Sequence, residues 1–473
     1  MAALGWLFDC LDQQLFLLAR QPAMSELLPP DTTWTVDAAG GYATSIFLIG
    51  WATGGLLFGI LGDRIGRART MIITILVYSL CTGLSALSVS FWDFAVYRFL
   101  TGLGVGGEFA VGVALVAEVM PSRARPYALA SLQALSAVGN ISAAFIAIGM
   151  GQLEGAGVVD SIWRPMFIVG AVPALLALVI RRRLKEPEQW QRASHEDAVA
   201  KKLGSYSELF SNPLWRKHAL IGMTMAFSGV VGLWAVGFFM FDLVGNIMEA
   251  KFAREAIAVQ VSDNKLSEEE GKKLQKSVEN TGLKRTFQPI KEETEEETYA
   301  EVYAPIEKVV GGQVVWWKGI TSFMLNIGAF FGMYTFGMVT QKIGRKPTFA
   351  LAFILGAAST INVLLFLTDF SQVFWMIPLM GICQLSLFAG YAIYFPELFP
   401  THLRSTGTSF CYNVGRFVAA VGPALLALLI NEVFTGTRVE RLRYAGLTMC
   451  IVFAFGLLVL PFAPETKDKP LPE

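Results

Sequence analysis

The stretch GILGDRIGRART, residues 59–70, places Asp63, Arg64, Arg67 and Arg69 between two long apolar runs, one opening near Gly40 and the other ending near Leu87. Each run is close to the roughly 20 residues that cross the hydrocarbon of a bilayer. Four charges between two such runs belong at a membrane face, in a short connection. Gly59, Gly62 and Gly66 allow that connection to turn tightly and its helices to approach closely.

The composition agrees with a membrane chain. Of 473 residues, 54% are apolar and 16% charged, where soluble domains carry about 25% charged residues; mean hydropathy is +0.50. The formal net charge is zero, which offers no electrostatic basis for binding nucleic acid. The five cysteines (10, 81, 383, 411, 450) show no metal-ligand spacing, and the three histidines (195, 218, 402) lie at or beyond helix ends and form no catalytic cluster. No metal, cofactor or enzymatic activity is expected. Asp9, Asp12 and Arg20 argue against reading the first apolar run as a signal peptide.

Twelve spans are predicted, at about 3–24, 40–62, 70–89, 92–117, 127–149, 163–181, 218–241, 315–339, 348–367, 373–395, 405–430 and 445–462. Lys and Arg gather on one side: Arg64, Arg67 and Arg69; Arg123 and Arg125; Arg181, Arg182, Arg183, Lys201 and Lys202; Lys342, Arg345 and Lys346. The positive-inside rule makes that side cytoplasmic, with both termini inside. Arg438, Arg441 and Arg443 are an exception in the last outer loop. The expected organisation is a six-helix bundle over 1–181, a cytoplasmic linker over 182–217, a second bundle over 218–463 and a tail over 464–473. An extracytoplasmic insertion, 245–314, interrupts the second bundle. The insertion is the plainly soluble part; the expectation is a mobile segment with short helices near 247–262 and 266–280, the alternative an ordered cap.

The opening motif recurs. GGLLFGILGDRIGRART (54–70) aligns with GMYTFGMVTQKIGRKPT (332–348), pairing Gly66 with Gly344 and Arg67 with Arg345 while Asp63 becomes Gln341. AEVMPSRAR (117–125) aligns with PELFPTHLR (396–404), pairing Glu118 with Glu397 and Arg125 with Arg404; EPE (186–188) is set against APE (463–465). Six spans have been duplicated in parallel, a plan suited to alternating access.

With these motifs the chain resembles the major facilitator superfamily outside 245–314. Residues 59–67 resemble its loop signature and YRFLTGLGVGGEFAVGVALVAE (97–118) its fourth-helix signature. The branch resemblance is to sialic-acid/lactate and metabolite:proton symporters. It implies an all-α fold of two six-helix bundles in a cell membrane, with a bacterial inner membrane and a working monomer as the expectation. It also implies a latch, near Asp63, between the halves at the cytoplasmic side.

Ionisable residues inside spans are functional candidates. Asp12, Glu108 and Arg98 are the proton-coupling candidates, Asp12 and Arg98 as a potential pair; Asp9 is expected to cap or pair at the interface. Arg416, in CYNVGRF (411–417), is the first choice for an anionic substrate, with Arg98, Asn413, Tyr412, Gln133, Asn140, Asn326, Gln384, Tyr391 and Tyr394 as further lining candidates. Gating is assigned to Gly59, Gly62, Asp63, Arg64, Gly66, Arg67, Glu118, Arg125, Gln341, Gly344, Arg345, Glu397 and Arg404. Glycines 102, 104, 106 and 107 suit close helix packing; no Lys-Ser or Lys-Thr follows to make a phosphate loop. The resulting expectation is proton-coupled uptake of a small organic anion: sialic acid, a lactate-like acid, or an aromatic or dicarboxylic acid. The alternatives are a facilitator or antiporter of sugars or other metabolites, and a non-transporting sensor built on 245–314. The drug-antiporter reading is weakened by a fifth span without proline.

Overall fold

The computed structural model describes residues 2–29, 36–155, 158, 161–173, 175, 185–195, 203–237, 239–419, 425–426 and 428–472. Arg181, at the end of the expected first bundle, and Arg182, Arg183, Lys201 and Lys202 of the expected linker lie outside the described residues. Among those described, the regular structure is helical. The first half holds α1 (Ala2–Leu27), α2 (Val36–Ile65), α3 (Arg67–Ser85), α4 (Phe91–Val119), α5 (Arg125–Gly155) and α6 (Trp163–Gly170). Two short helices, α7 (Glu188–His195) and α8 (Tyr206–Ser211), lead to the second half. There α9 (Pro213–Val231) runs through a π-helical turn, Gly232–Gly237, towards α10 (Phe239–Ser262). Next come α11 (Glu268–Thr281), α12 (Leu283–Glu293), α13 (Ala304–Ile343), α14 (Arg345–Phe366), α15 (Phe370–Tyr394), α16 (Arg404–Ala419), α17 (Arg438–Met449) and α18 (Val452–Val459).

Eight helical runs among the described residues are long and apolar enough to cross a membrane. Helix α1 is outside that set, since Asp9, Asp12 and Arg20 interrupt its apolar surface. It is sheltered by packing instead: Leu15, Phe16 and Ala19 are fully buried, and Phe16 meets Phe47 of α2 and Phe94 of α4. Glycines bring α4 close to its neighbours, since a methyl group on Gly102 or Gly106 would strike the backbone of α2 near Phe47 and Trp51.

Helix starts differ at the two ends of the bundle. At the end bearing residues 245–314, the cap end, α4, α15 and α17 begin with capping boxes: Ser90 with Asp93, Asp369 with Gln372 and Thr437 with Glu440. Each uses its own side chains to satisfy the first free amides. At the opposite, basic end, α3 and α14 begin after Gly66 (φ 111°) and Gly344 (φ 97°), backbone conformations that favour glycine. Their first amides are met from a distance. Glu186 accepts from the Ala68 and Arg69 amides at 3.1 Å each, and Glu465 accepts from those of Arg345 and Lys346 at 2.9 and 3.1 Å. This corrects the register of the third repeat: Glu186, not Glu188, corresponds to Glu465.

The insertion is a folded cap, which overturns the expectation of a mobile segment. Apolar residues on α10, α11, α12 and α13 form a core of their own, including Ile257, Leu274, Phe287 and Ile306. Helix α11 opens with a Ser267–Glu270 capping box and stops at Gly282, φ 91°. Glu249 joins α10 to Arg438 at 2.8 Å and to the Leu283 amide at 2.7 Å. Arg441 donates to the Asn280 carbonyl, and Arg443 to those of Leu365 and Leu367. Arg438, Arg441 and Arg443, which broke the expected charge pattern, are therefore ties to the cap and the neighbouring loop.

Candidate functional site

A cavity of about 120 Å³ lies between the halves. Helix α1 contributes Trp6, Cys10, Gln13 and Gln14, α2 Trp51, and α5 Gln133, Ser136 and Asn140. The second half adds Phe241, Asn326, Met333 and Phe388, together with Tyr412 and Arg416 on successive turns of α16. Arg416 is 3% exposed, and its guanidinium carbon sits 4.4 Å from the Trp51 ring centre and 4.1 Å from that of Tyr412. Its Nη1 donates to the Tyr412 carbonyl at 2.7 Å and to Asn413 Oδ1 at 3.3 Å, while Nε has no partner among the described residues. Tyr412 stacks in turn on Phe109 at 3.9 Å. The arginine thus lies over two aromatic rings with Nε left for an anion. Asn140 donates to Asn326 at 3.0 Å, a bond between the halves at the cavity wall.

Several expected lining residues serve elsewhere, and these are corrections. Asn413 turns towards α2, donating to Ser409 and filling the space beside Gly55. Gln384 donates to the Gly232 carbonyl and secures the π-helical turn. Tyr391 binds the Met225 carbonyl and Tyr394 that of Pro464, both at 2.7 Å. Arg98 is fully buried behind the cavity wall. Its Nε and Nη2 donate to the hydroxyls of Ser85, Thr82 and Thr101, Nη1 has no partner among the described residues, and the guanidinium lies 4.7 Å from the centre of the Phe167 ring. Helical periodicity placed these side chains on plausible turns, but it does not say which neighbour fills the space in front of them.

Three carboxyl groups are buried inside the first half away from its basic end. Asp9, Asp12 and Glu108 are each at most 1% exposed, and among the described residues none of their six oxygens has a hydrogen-bond donor. Asp12 interacts electrostatically with Arg98, yet the two are not joined by a hydrogen bond. Asp9 does not cap at the interface as expected: it is buried within electrostatic reach of Glu108, Asp12 and Arg416. Glu108 lies against Gly5 of α1, where even a methyl group would collide with its carboxyl. Arg20 donates to Thr44 at 2.8 Å.

At the basic end the motif of residues 59–70 meets the start of α16. Asp63 is fully buried; it accepts from the Ser405 and Thr406 amides at 3.1 and 2.8 Å, and from the Thr406 hydroxyl at 2.7 Å. A carboxylate at a helix N-terminus is favoured by its free amides and its dipole. Arg67 pairs with Asp63 and Glu118 at 3.1 and 3.0 Å and donates to the Thr401 carbonyl. Arg404 reaches Glu118 across the halves at 2.7 Å. Gly59 and Gly62 let α2 lie directly on Ser409 and Ser405, and Ser409 donates to the Gly55 carbonyl. Arg64 donates to the Leu203 carbonyl, tying the linker to α2, and Trp190 of α7 donates to that of Asp63.

The second copy is built differently. Arg345 pairs with Glu397 at 2.9 Å, and Thr466 donates to the same carboxylate at 2.6 Å. Gln341 and Arg125 face an opening rather than a partner helix. Burial opposes ionisation of Glu465, but amides of Arg345, Lys467, Lys346 and Thr466 outweigh it and hold the carboxyl below its ordinary range. Glu186, Glu465 and Thr466 were absent from the expected gate; the EPE and APE repeat was their only signal. Gln13, Gln14 and Trp51 were likewise missed, because amides and tryptophans in spans also serve as ordinary packing.

A family model described as Major Facilitator Superfamily matches residues 7–257 and 312–473, passing over most of the cap. A metabolite transport protein of Haemophilus influenzae is 30% identical, covering 99% of this chain and 96% of its own. The cis,cis-muconate transport protein of Acinetobacter baylyi is 27% identical, covering 84% of this chain and 79% of its own. The solved structure of the proton:xylose symporter XylE, bound to 6-bromo-6-deoxy-D-glucose, has a TM-score of 0.63 at 17% identity, covering 99% of this chain and 96% of that one. Duplicated halves, a cavity between them and these likenesses lead to one conclusion: the chain belongs to the major facilitator superfamily and is an integral, multi-pass membrane transporter rather than an enzyme.

Proposed function

We propose that this transporter carries a small organic carboxylate into the cell together with a proton, by alternating access. The observation that carries the reading is Arg416, a buried cation on the cavity wall, set over the Trp51 and Tyr412 rings with Nε unpartnered among the described residues. The aromatic faces around it suit a flat acid, and the amides of Gln13, Gln14 and Gln133 suit its polar edge. The relative named for cis,cis-muconate supports an organic-acid cargo.

The proton is assigned to Glu108 and Asp12, with Asp9 between them and Arg416. Each carboxyl lies inside the bundle with no hydrogen-bond donor, so taking up or losing a proton changes its charge without breaking a bond. Protonation and cargo binding together leave fewer unpaired charges between the halves, which favours the switch; release of both resets it. Coupling of this kind is reciprocal. In this reading the basic end is cytoplasmic, both termini are inside, and the cap faces outwards from a bacterial inner membrane. The halves are residues 1–181 and 218–463, joined by 182–217.

The test is uptake of radiolabelled benzoate, muconate, lactate and sialic acid into proteoliposomes under an imposed inward proton gradient. Accumulation of at least one acid only with the gradient is the expected result. Exchange that ignores the gradient would reassign the chain as a facilitator or antiporter, and no carboxylate transport at all would remove the proposal.

A further inference from the structure

The repeat leaves one buried arginine at the basic end without the partner that its counterpart has. Arg125 and Arg404 stand 279 residues apart, as do Glu118 and Glu397. Both arginines begin alike, with Nε donating to a backbone carbonyl: Arg125 to Ala117 at 2.8 Å and Arg404 to Pro396 at 3.3 Å. Arg404 then reaches Glu118 of the other half and the Pro472 carbonyl. Arg125 makes no hydrogen bond of that kind, although Glu397 lies within its electrostatic reach. The acid that symmetry would offer it, Glu397, is already held by Arg345 and Thr466. Arg125 is 8% exposed, makes one hydrogen bond, and lines a cavity of about 880 Å³ with Arg123, Arg192 and Lys469. Five cations and two acids, Glu397 and Asp468, line this space. Arg345 pairs with Glu397, Arg192 with Glu188, and Asp468 with Lys467 outside the cavity, so among the described residues Arg123, Arg125 and Lys469 are the three lining cations without a salt bridge.

We propose that this cavity binds a phosphate-type oxyanion, held by Arg125 with Arg123, Arg192 and Lys469. Guanidinium forks match the oxygens of phosphate, and three unbalanced cations call for more negative charge than a monocarboxylate supplies. The ligand would contact the first half through Arg123 and Arg125, the linker through Arg192, and the segment following α18 through Lys469. It therefore joins the halves on the side where Glu397 does not, opposite the Arg404–Glu118 bridge, and stabilises the closed basic end. A free phosphorylated metabolite and an anionic lipid headgroup share this chemistry. The site is independent of the cargo assigned above.

Binding is measured on the full chain in a neutral detergent, by calorimetry and thermal unfolding, with pyrophosphate as probe and sodium chloride at matched ionic strength as reference. The expected result is saturable binding to the unaltered protein, about tenfold weaker in Arg192→Gln, the loss of one charge-assisted hydrogen bond, and lost in Arg125→Gln. Arg216→Gln removes an exposed cation outside the cavity and keeps full affinity. Arg192 is exposed, with only a 3.5 Å pair to Glu188, so its variant decides the matter if Arg125→Gln misfolds. Repeating the titration in nanodiscs separates the sources. Affinity unchanged by adding phosphatidylglycerol to phosphatidylcholine points to a free anion; affinity lowered by it, in the unaltered protein but not in Arg192→Gln, points to a headgroup. Absence of saturable binding, or equal loss in Arg216→Gln and Arg192→Gln, would overturn the proposal.

Discussion

The two halves share a plan at their basic ends and diverge in the middle of the membrane. Glycine, arginine and glutamate recur at 66/344, 67/345 and 118/397, and a distant carboxylate caps the third helix of each half, Glu186 on α3 and Glu465 on α14. At the 279-residue spacing of Glu118 and Glu397, however, Arg98 corresponds to Ile377, Glu108 to Leu387, and Arg416 to Ala137. The turns that begin helices were copied, while the chemistry assigned to cargo and proton was divided: buried acids in the first half, the cavity arginine in the second. Even the copied gate is lopsided. Asp63 crosses to α16, whereas Gln341 replaces it in the second copy and leaves an opening there.

The sharpest way to break this division is at Arg416. Arg416→Gln should weaken cargo binding by about 30- to 100-fold, the scale of losing one or two charge-assisted hydrogen bonds, read as loss of cargo-induced thermal stabilisation. The mirror change, Ala137→Ser, should leave binding near normal. Next in size is Glu108→Gln, which should abolish accumulation driven by the proton gradient while keeping counterflow exchange. Equal loss of both would return Glu108 to a packing role.

The gate comparison predicts smaller effects. Asp63→Asn removes the charge that holds the Ser405 and Thr406 amides, so hydrogen exchange across 404–409 should quicken by about tenfold, as local opening becomes easier. Gln341→Ala should change nothing comparable. For Glu465, a carboxyl held below its ordinary range, the sign is that of a depressed acid: its contribution is present above pH of about 4.3 and is lost as pH falls through the lowered value. Glu465→Gln should therefore lower the thermal midpoint by a few degrees at neutral pH and flatten the loss of stability on acidification. Least of all, replacing residues 258–311 with a short Gly-Ser linker should leave uptake close to normal, because the cap has its own core and Glu249 and Arg441 tie it to the second half. Loss of function there would instead favour a role for the cap in transport.

The legible features follow from solvent. Apolar length, the side of the arginines and the repeat of GDRIGR as TQKIGR required a duplicated bundle, because hydrocarbon tolerates few alternatives. Ionisable residues within spans stood out for the same reason, and Arg416 and Glu108 were legible as soon as they were placed in spans. Direction within the bundle was not legible. Whether Gln384 or Tyr391 faces a cavity depends on the helix opposite, and Asp9 is buried rather than interfacial because α4 brings Glu108 over Gly5.

The amino-acid sequence by itself determined the fold class, the repeat and the set of charges that the membrane had to accommodate, since the cost of burying polar groups is a property of residues and solvent. Only the tertiary structure decided that 245–314 folds as a cap, that Asp63 ends on the first amides of α16, that Glu465 rather than a local side chain caps α14, and that Arg125 opens onto a basic cavity. Each of those outcomes is a contact between segments far apart in the chain, set by how the halves pack and by which donor reaches an acceptor first.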